Sequence, residues 1–431
     1  MTACLPALSD RILRFEPGQK FGRVTRIAST YVEANGPDAP VGSLCSLETS
    51  EGQVLSTVVS ADSNRIALAP LDPLGTLHLG SKARLVSTAN MPRTGDAFLG
   101  RAVDGLGRPL DGGAAIAGED ASTTMPDPLD RITPQRPMIT GMRVIDGLLP
   151  LAQGQRIGIF AAPGVGKTTL LNQIGAQVDA DRHIVCLVGE RGREVHALWS
   201  ALDDRRRSLT TLVAATSDHG AALRTRAVEQ ALALAMRWRA EGHHVLLLLD
   251  SATRYAMALR EVGLASGEPP TVRAYTPGVF AALPKLVERC GAVRGGGAIT
   301  AVMTVLCETD DVDDPVAEIM KSLLDGHIVL SRQIAEQGRH PAVDVPRSIS
   351  RLASGLMSPE HRALAQQALA SLSAYETARP LIEAGVYAAG ANADIDAAIR
   401  RRPGIEAFLA QGETRSAPHE SLASLKRALE A

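Results

Sequence analysis

Residues 157–171 read IGIFAAPGVGKTTLL: an apolar strand, a turn of glycines, and a helix opening on a lysine and two threonines. The order matters because G-x-x-x-x-G-K-[ST] is a phosphate-binding loop, in which backbone N–H groups and a helix N-terminus converge on anionic oxygens. The first glycine of that pattern is replaced by Ala161. At a strand end no positive φ is demanded and a methyl is the smallest addition to glycine, so the cradle is expected to survive. Ala162, Pro163, Gly164, Val165, Gly166, Lys167, Thr168 and Thr169 are the expected nucleotide contacts. Lys167 would reach the β- and γ-phosphates of ATP and the Thr168 hydroxyl would hold Mg2+.

Downstream, the apolar residues 184–188 end at Gly189 and deliver Glu190 and Arg191 to the carboxyl edge of a strand. Ligands of open α/β sheets bind at that edge, and a carboxylate there can orient or deprotonate an attacking water. Spacing alone leaves equally open a surface ion pair of Glu190 with Arg191 or Arg193. In HHVLLLLDSATRYAMALRE, five apolar residues lead to Asp250. This is the Walker B arrangement, whose acid ends a buried strand and supports Mg2+ through its water shell. Arg254 either faces phosphate or forms an ordinary ion pair. His243, His244 and the arginine triplets at 205–207 and 400–402 read as solvated residues.

Strands RIGIF, HIVCLVG, TLVAATS, HVLLLLD and AITAVMTVL alternate with helical stretches, the pattern of a parallel sheet covered by helices on both faces. The fold class expected is α/β, a P-loop NTPase core over 138–354. Before it, short β-branched runs and turn residues over 1–90 predict a small β-barrel, and 91–137 reads as a linker. After it, 355–431 predicts a helical domain, with Ser358 as N-cap and Pro359 at the first helical position.

Composition narrows the partners. With 431 residues, 45% of them hydrophobic, the chain can bury sizeable cores, and its net charge of −2 offers no basic field for nucleic acid. Five cysteines (Cys4, Cys45, Cys186, Cys290 and Cys307) lie far apart with no C-x-x-C, so neither a disulfide framework nor a zinc site is expected. The apolar run at 245–249 is too short to span a bilayer and the start lacks a signal-peptide pattern, which predicts a cytoplasmic protein.

With these residues in place, the chain resembles the ATPases of type III protein export, flagellar and injectisome relatives of the rotary F1 ATPase catalytic subunits. The resemblance runs from about Gly22 to Gln411 and rests on FLGRAVDGLGRPLDG, GMRVIDGLLPLAQGQRIGIFAAPGVGKTTLL, GERGREV, LLLLDSATRYAMALREVGLASGEPP, YTPGVFAALPKLVERCG and LLDGHIVLSRQIAEQGRHPAVDVPRSISR. It implies a RecA-like core and a homohexameric ring with sites between subunits. It carries catalytic roles to Lys167, Glu190, Arg191 and Arg254, metal roles to Thr168 and Asp250, and makes Arg351 the finger that enters the neighbouring site. It also implies a stator-like regulator, a coiled-coil stalk, export chaperones with unfolded substrates, and an indirect link to a membrane export gate at the inner membrane. Relatives usually carry an aromatic where this chain has His340, a position that bears on the nucleotide base. The cast of VLCETDDVDDPVAEIMKSLLDGHIVLSR favours the flagellar branch. The alternatives are a rotary F-type or V-type subunit, one that binds nucleotide without hydrolysing it included, and a Rho-like RNA translocase. The first tends to lose the carboxylate retained here as Glu190. The second needs a basic, aromatic strand face, and the N-terminal segment offers only Phe15, Phe21 and Tyr31.

Overall fold

Strands β1 (Phe21–Ile27), β2 (Val32–Ala34), β3 (Leu44–Thr49), β4 (Gly52–Ala61), β5 (Ile66–Pro70) and β6 (Lys82–Ser87) close into an antiparallel barrel in the order β1-β2-β5-β4-β3-β6. The computed structural model describes residues 21–88, 90–122, 124–307 and 314–430. Cys4, Phe15 and residues 308–313 of the acidic stretch lie outside the described residues. In β4 the period of two that defines a strand turns Val54, Ser56 and Val58 inward. They join Val24, Val32, Leu47 and Leu68 in the barrel core or beside it. Gly22 has a steric reason: a Cβ there would sit 1.9 Å from the carbonyl oxygen of Gly36.

The second architecture is an open sheet. Its main path comprises β7 (Ala102–Val103), β8 (Arg156–Ala161), β9 (Arg182–Val188), β10 (Thr210–Ala215), β11 (His244–Asp250), β12 (Ala298–Leu306), β13 (Gly326–Leu330) and β14 (Ile349–Ser350). The spatial order is β14-β13-β8-β12-β11-β9-β10-β7, with every neighbouring pair parallel except β13 and β14. Strand β11 is buried from Val245 to Asp250, as a strand covered on both faces must be. Helices α1 (Lys167–Gln177), α2 (Gly192–Ala201), α3 (Ala221–Ala240) and α4 (Ala252–Ala265) follow the strands. The strand and helix alternation predicts this parallel sheet, and the resemblance its RecA-like form.

Beyond it, α5 (Pro359–Glu383), α6 (Ala393–Leu409) and α7 (Pro418–Glu430) form the helical segment. The Ser358 side chain accepts from the His361 backbone N–H at 3.2 Å and Pro359 is the first helical residue. These helices share one hydrophobic core with the sheet: Leu372, Ile405, Phe408 and Leu425 belong with Ile157, Ile159, Leu170, Leu246 and Val302. Gly147 is where they dock, since a Cβ there would meet the Phe408 ring at 2.7 Å.

The chain divides into two compact units. One gathers the barrel, up to Met91, with Ser217–Arg226 and Met257–Val279; the other takes Pro92–Thr216, Ala227–Ala256 and the remainder. No described helix is long and apolar enough to cross a membrane.

Several residues read as solvated are not. His244 opens β11, and its Nε2 lies 2.8 Å from Thr300 Oγ1 while its N–H donates to Asp181. Arg206 donates to the Val178 carbonyl and Arg207 to those of Trp199 and Leu202. Arg402 stacks on the Tyr375 ring at 3.7 Å. Long arginine stems cover apolar surface while their forks satisfy carbonyls, a behaviour that a charge triplet in a sequence does not reveal.

Candidate active site

Strand β8 ends on Ala161, buried and extended, so the missing glycine costs the loop nothing in backbone conformation. The positive φ values fall instead at Gly164 (+82°) and Gly166 (+92°), the second being the residue before α1. A side chain would be strained at either position. Lys167, Thr168 and Thr169 then form the first turn of α1, with both threonines exposed. The unpaired N–H groups of that turn, the glycine bend and the lysine together make an anion cradle.

Lys167 is engaged by acids from two neighbouring elements. Its Nζ lies 2.5 Å from Asp250 Oδ1 and 3.6 Å from Glu190 Oε1. Glu190 follows Gly189, whose φ of +69° turns the chain sharply at the end of β9. Its other oxygen, Oε2, accepts from Arg254 Nη1 at 2.6 Å, and the same guanidinium donates to the Gly189 carbonyl. Both acids are buried, Glu190 at 5% and Asp250 at 2% exposure. Burial raises the pKa of Glu190, as do the carboxyls of Glu194 and Asp250, while Lys167 and Arg254 oppose the rise. Oε1 of Glu190 is buried and, beyond the Lys167 ammonium 3.6 Å away, has no hydrogen-bond partner among the described residues. An oxygen held by charge alone still has room for a hydrogen bond, and it marks where a polar ligand atom would be received.

The structure therefore brings Lys167, Glu190, Asp250 and Arg254 into one cluster at the carboxyl edge of the sheet. Three other expected residues stand outside it. Arg191 is the exposed N-cap of α2. His340 is exposed, and its carbonyl accepts from the Gln411 N–H at 2.8 Å. Arg351 follows β14 at the opposite edge: its N–H donates to Asp325, the residue before β13, and its guanidinium donates to the Lys321 carbonyl at 3.3 Å. Because β8 and β13 are parallel, with Ile157 abreast of Gly326, Arg351 lies where the strands begin and Lys167 where they end. The length of β8 alone separates those edges by roughly 16 Å.

Two members of the cluster escaped the sequence reading. Glu194, in the first turn of α2, shares a proton-mediated contact with the Glu190 carboxyl just ahead of that helix. Thr304, on β12, donates its hydroxyl to Asp250 Oδ1 at 2.7 Å. An acid in the first turn of a helix is an ordinary feature and signals nothing, and a threonine in a β-branched strand carries no signal either.

The oxygen donors fit magnesium. The Thr168 hydroxyl and the Asp250 carboxylate are a sparse, hard set of the kind used when substrate phosphates complete the coordination. Among the described residues no group of three His, Cys, Asp or Glu forms a dedicated metal cage.

Loop, buried acids and sheet together define a P-loop ATPase of the rotary ATPase type. Residues 141–350 match the ATP synthase alpha/beta family, nucleotide-binding domain, and residues 357–427 match the T3SS EscN ATPase C-terminal domain. The flagellum-specific ATP synthase of Salmonella typhimurium is 42% identical, covering 91% of this chain and 90% of its own. The type 3 secretion system ATPase of Pseudomonas syringae pv. syringae is 41% identical, over 94% and 92%. The assembled ATPase EscN of the enteropathogenic E. coli type III secretion system superposes with a TM-score of 0.90 at 38% identity, over 95% of this chain and all of that one. EscN has also been solved in complex with its central stalk EscO, at a TM-score of 0.84. The chain belongs to the ATPases of type III protein export, the family of the flagellum-specific and secretion-system enzymes.

Proposed function

We propose that the chain works as a homohexameric ring that hydrolyses Mg-ATP between subunits to energise flagellar protein export. The observation that carries this reading is the cluster of Lys167, Glu190, Asp250 and Arg254 at one sheet edge with Arg351 at the other. The loop 162–169 holds the phosphates, with Lys167 on the β- and γ-oxygens. Thr168 and Asp250 hold Mg2+, which when bound supplies charge neutralisation of the phosphates. Glu190 receives the proton of the attacking water on Oε1, and its raised pKa suits that acceptor role. Arg254 fixes the direction of the Glu190 carboxylate through Oε2. Arg191 adds charge from the open side, Arg351 enters the site of the next subunit, and His340 is assigned to the nucleotide base.

The solved complex of EscN with its central stalk EscO supports a stalk as a partner, here taken to be a coiled coil. A stator-like regulator, chaperones carrying unfolded substrates, and a membrane gate reached indirectly complete the proposed surroundings, in the cytoplasm beside the inner membrane. Nucleic acid is not among them. The decisive measurement is phosphate release by the Glu190→Gln protein. It is expected to bind ATP as the parent does and to turn over at a small fraction of the parental rate; parental turnover would remove Glu190 from the reaction. Loss of motility with intact effector secretion in a strain lacking the chain is the result expected on the flagellar branch.

A further inference from the structure

Asp250 Oδ1 receives two donors of different character. One is the Lys167 ammonium at 2.5 Å, carried on a flexible four-carbon stem. The other is the Thr304 hydroxyl at 2.7 Å, carried on a strand. Thr304 is fully buried in β12, among Met303, Val302 and Val305, where a hydroxyl is costly unless bonded. Leu249 pairs with Met303 in the parallel register, which sets Thr304 abreast of Asp250; on its other flank it pairs with Ile159 of the loop strand. The hydroxyl also lies 3.4 Å from the Leu249 carbonyl, and the shorter contact to the carboxylate is the stronger. Oδ2 receives no hydrogen bond among the described residues.

We propose that Thr304 is a positioning residue for Asp250, holding Oδ1 so that the carboxylate keeps its orientation toward magnesium when Lys167 leaves for the phosphates. The proposal rests on the reading above that Asp250 serves the metal. Lys167 is the exchangeable partner and Thr304 the permanent one. The second buried threonine of the strand, Thr300, does a separate job: its Oγ1 accepts from the Gly154 N–H and lies beside His244 at the other sheet edge.

The test is the binding of a fluorescent ATP analogue to the full chain as Mg2+ is added stepwise, with a magnesium-free baseline. Thr304→Val keeps the shape and removes the donor. It is expected to raise the Mg2+ concentration for half-maximal binding by about tenfold, the range for a hydrogen bond to a charged group, with the baseline unchanged. Thr304→Ser is expected to restore the parental value. Should the valine protein fail to fold, Thr304→Ala is read against Thr304→Ser in the same experiment. An unchanged Mg2+ requirement in Thr304→Val, equal loss of binding with and without Mg2+, or no rescue by serine would each overturn the proposal. Asp250→Asn separates the two readings: if it too keeps the parental Mg2+ requirement, the metal role of Asp250 falls, whereas a shift there with none in Thr304→Val sinks Thr304 alone. With both readings correct, Thr304→Val adds nothing on top of Asp250→Asn.

Discussion

Arg351 and Lys167 stand at opposite edges of one sheet, the arginine beside Asp325 where β13 begins and the lysine beyond the end of β8. In the proposed ring, a subunit whose own arginine lies at the far edge would complete its site with a neighbour's. Arg351→Ala is therefore expected to bind ATP and hydrolyse it about a thousandfold more slowly, a loss of roughly 4 kcal/mol in transition-state stabilisation. Co-assembly with Glu190→Gln chains rebuilds some intact interfaces, so two nearly inactive preparations are expected to regain part of the activity on mixing. No recovery in mixed rings confirmed by mass measurement would count against the finger.

Lys167→Ala leaves Glu190 and Asp250 facing each other without their shared cation and removes the donor to the phosphates. Affinity for ATP, measured by equilibrium binding, is expected to fall about a hundredfold, two charge-assisted hydrogen bonds being lost. Glu190→Gln, by contrast, keeps parental affinity, and the contrast between the two variants is the point of the comparison.

His183 gives a pH dependence with a definite sign. Its Nε2 lies 3.1 Å from Arg206 Nη1, and a guanidinium only donates, so the ring nitrogen accepts and the imidazole is neutral. Burial, then the Arg206 charge, lowers its pKa from 6.5 to about 4. The unfolded chain takes up this proton below pH 6.5 and the native chain refuses it, so the stability is fully present above pH 6.5. It is lost as pH falls towards 4, by roughly 3 kcal/mol. Urea unfolding of His183→Asn is expected to show a shallower decline between pH 6.5 and 4 than the parent. Equal slopes would refute the assignment.

In the C-terminal segment, Tyr375 of α5 lies under Arg402, and in the connection between α5 and α6 the Tyr387 hydroxyl lies 3.0 Å from both Asp396 Oδ1 and the Asn392 carbonyl. Leu381 at 51% and Val386 at 71% exposure remain as apolar surface. Leu381→Ser with Val386→Ser is expected to abolish capture of chaperone–substrate complexes while leaving ATP hydrolysis at the parental rate. Undiminished capture would exclude this apolar surface as the place where those complexes are received.

What the sequence disclosed, and what it withheld, follows from range. The loop, Glu190 and Asp250 are each announced by an apolar run that stops at a polar residue, a local signal read within ten positions. The strand at Gly326–Leu330 escapes notice because its apolar run is only Ile328 to Leu330, and Ala102–Val103 is too short to show alternation. Thr304 lies 54 positions from the carboxylate it serves, and only the parallel register brings the two abreast. The placement of Arg351 likewise depends on the antiparallel turn of β14, which no spacing encodes.

The cluster of Lys167, Arg254, Glu190 and Asp250 holds two positive and two negative charges in mutual contact. Within the cluster the charges balance. An arriving polyanion meets the N–H groups of the α1 turn directly, but to reach the Lys167 ammonium it must trade places with carboxylates already seated. Capture is then governed by partner exchange at contact range, where a nucleotide bringing its own cation replaces both halves of the pairs it breaks, and a bare one replaces only half.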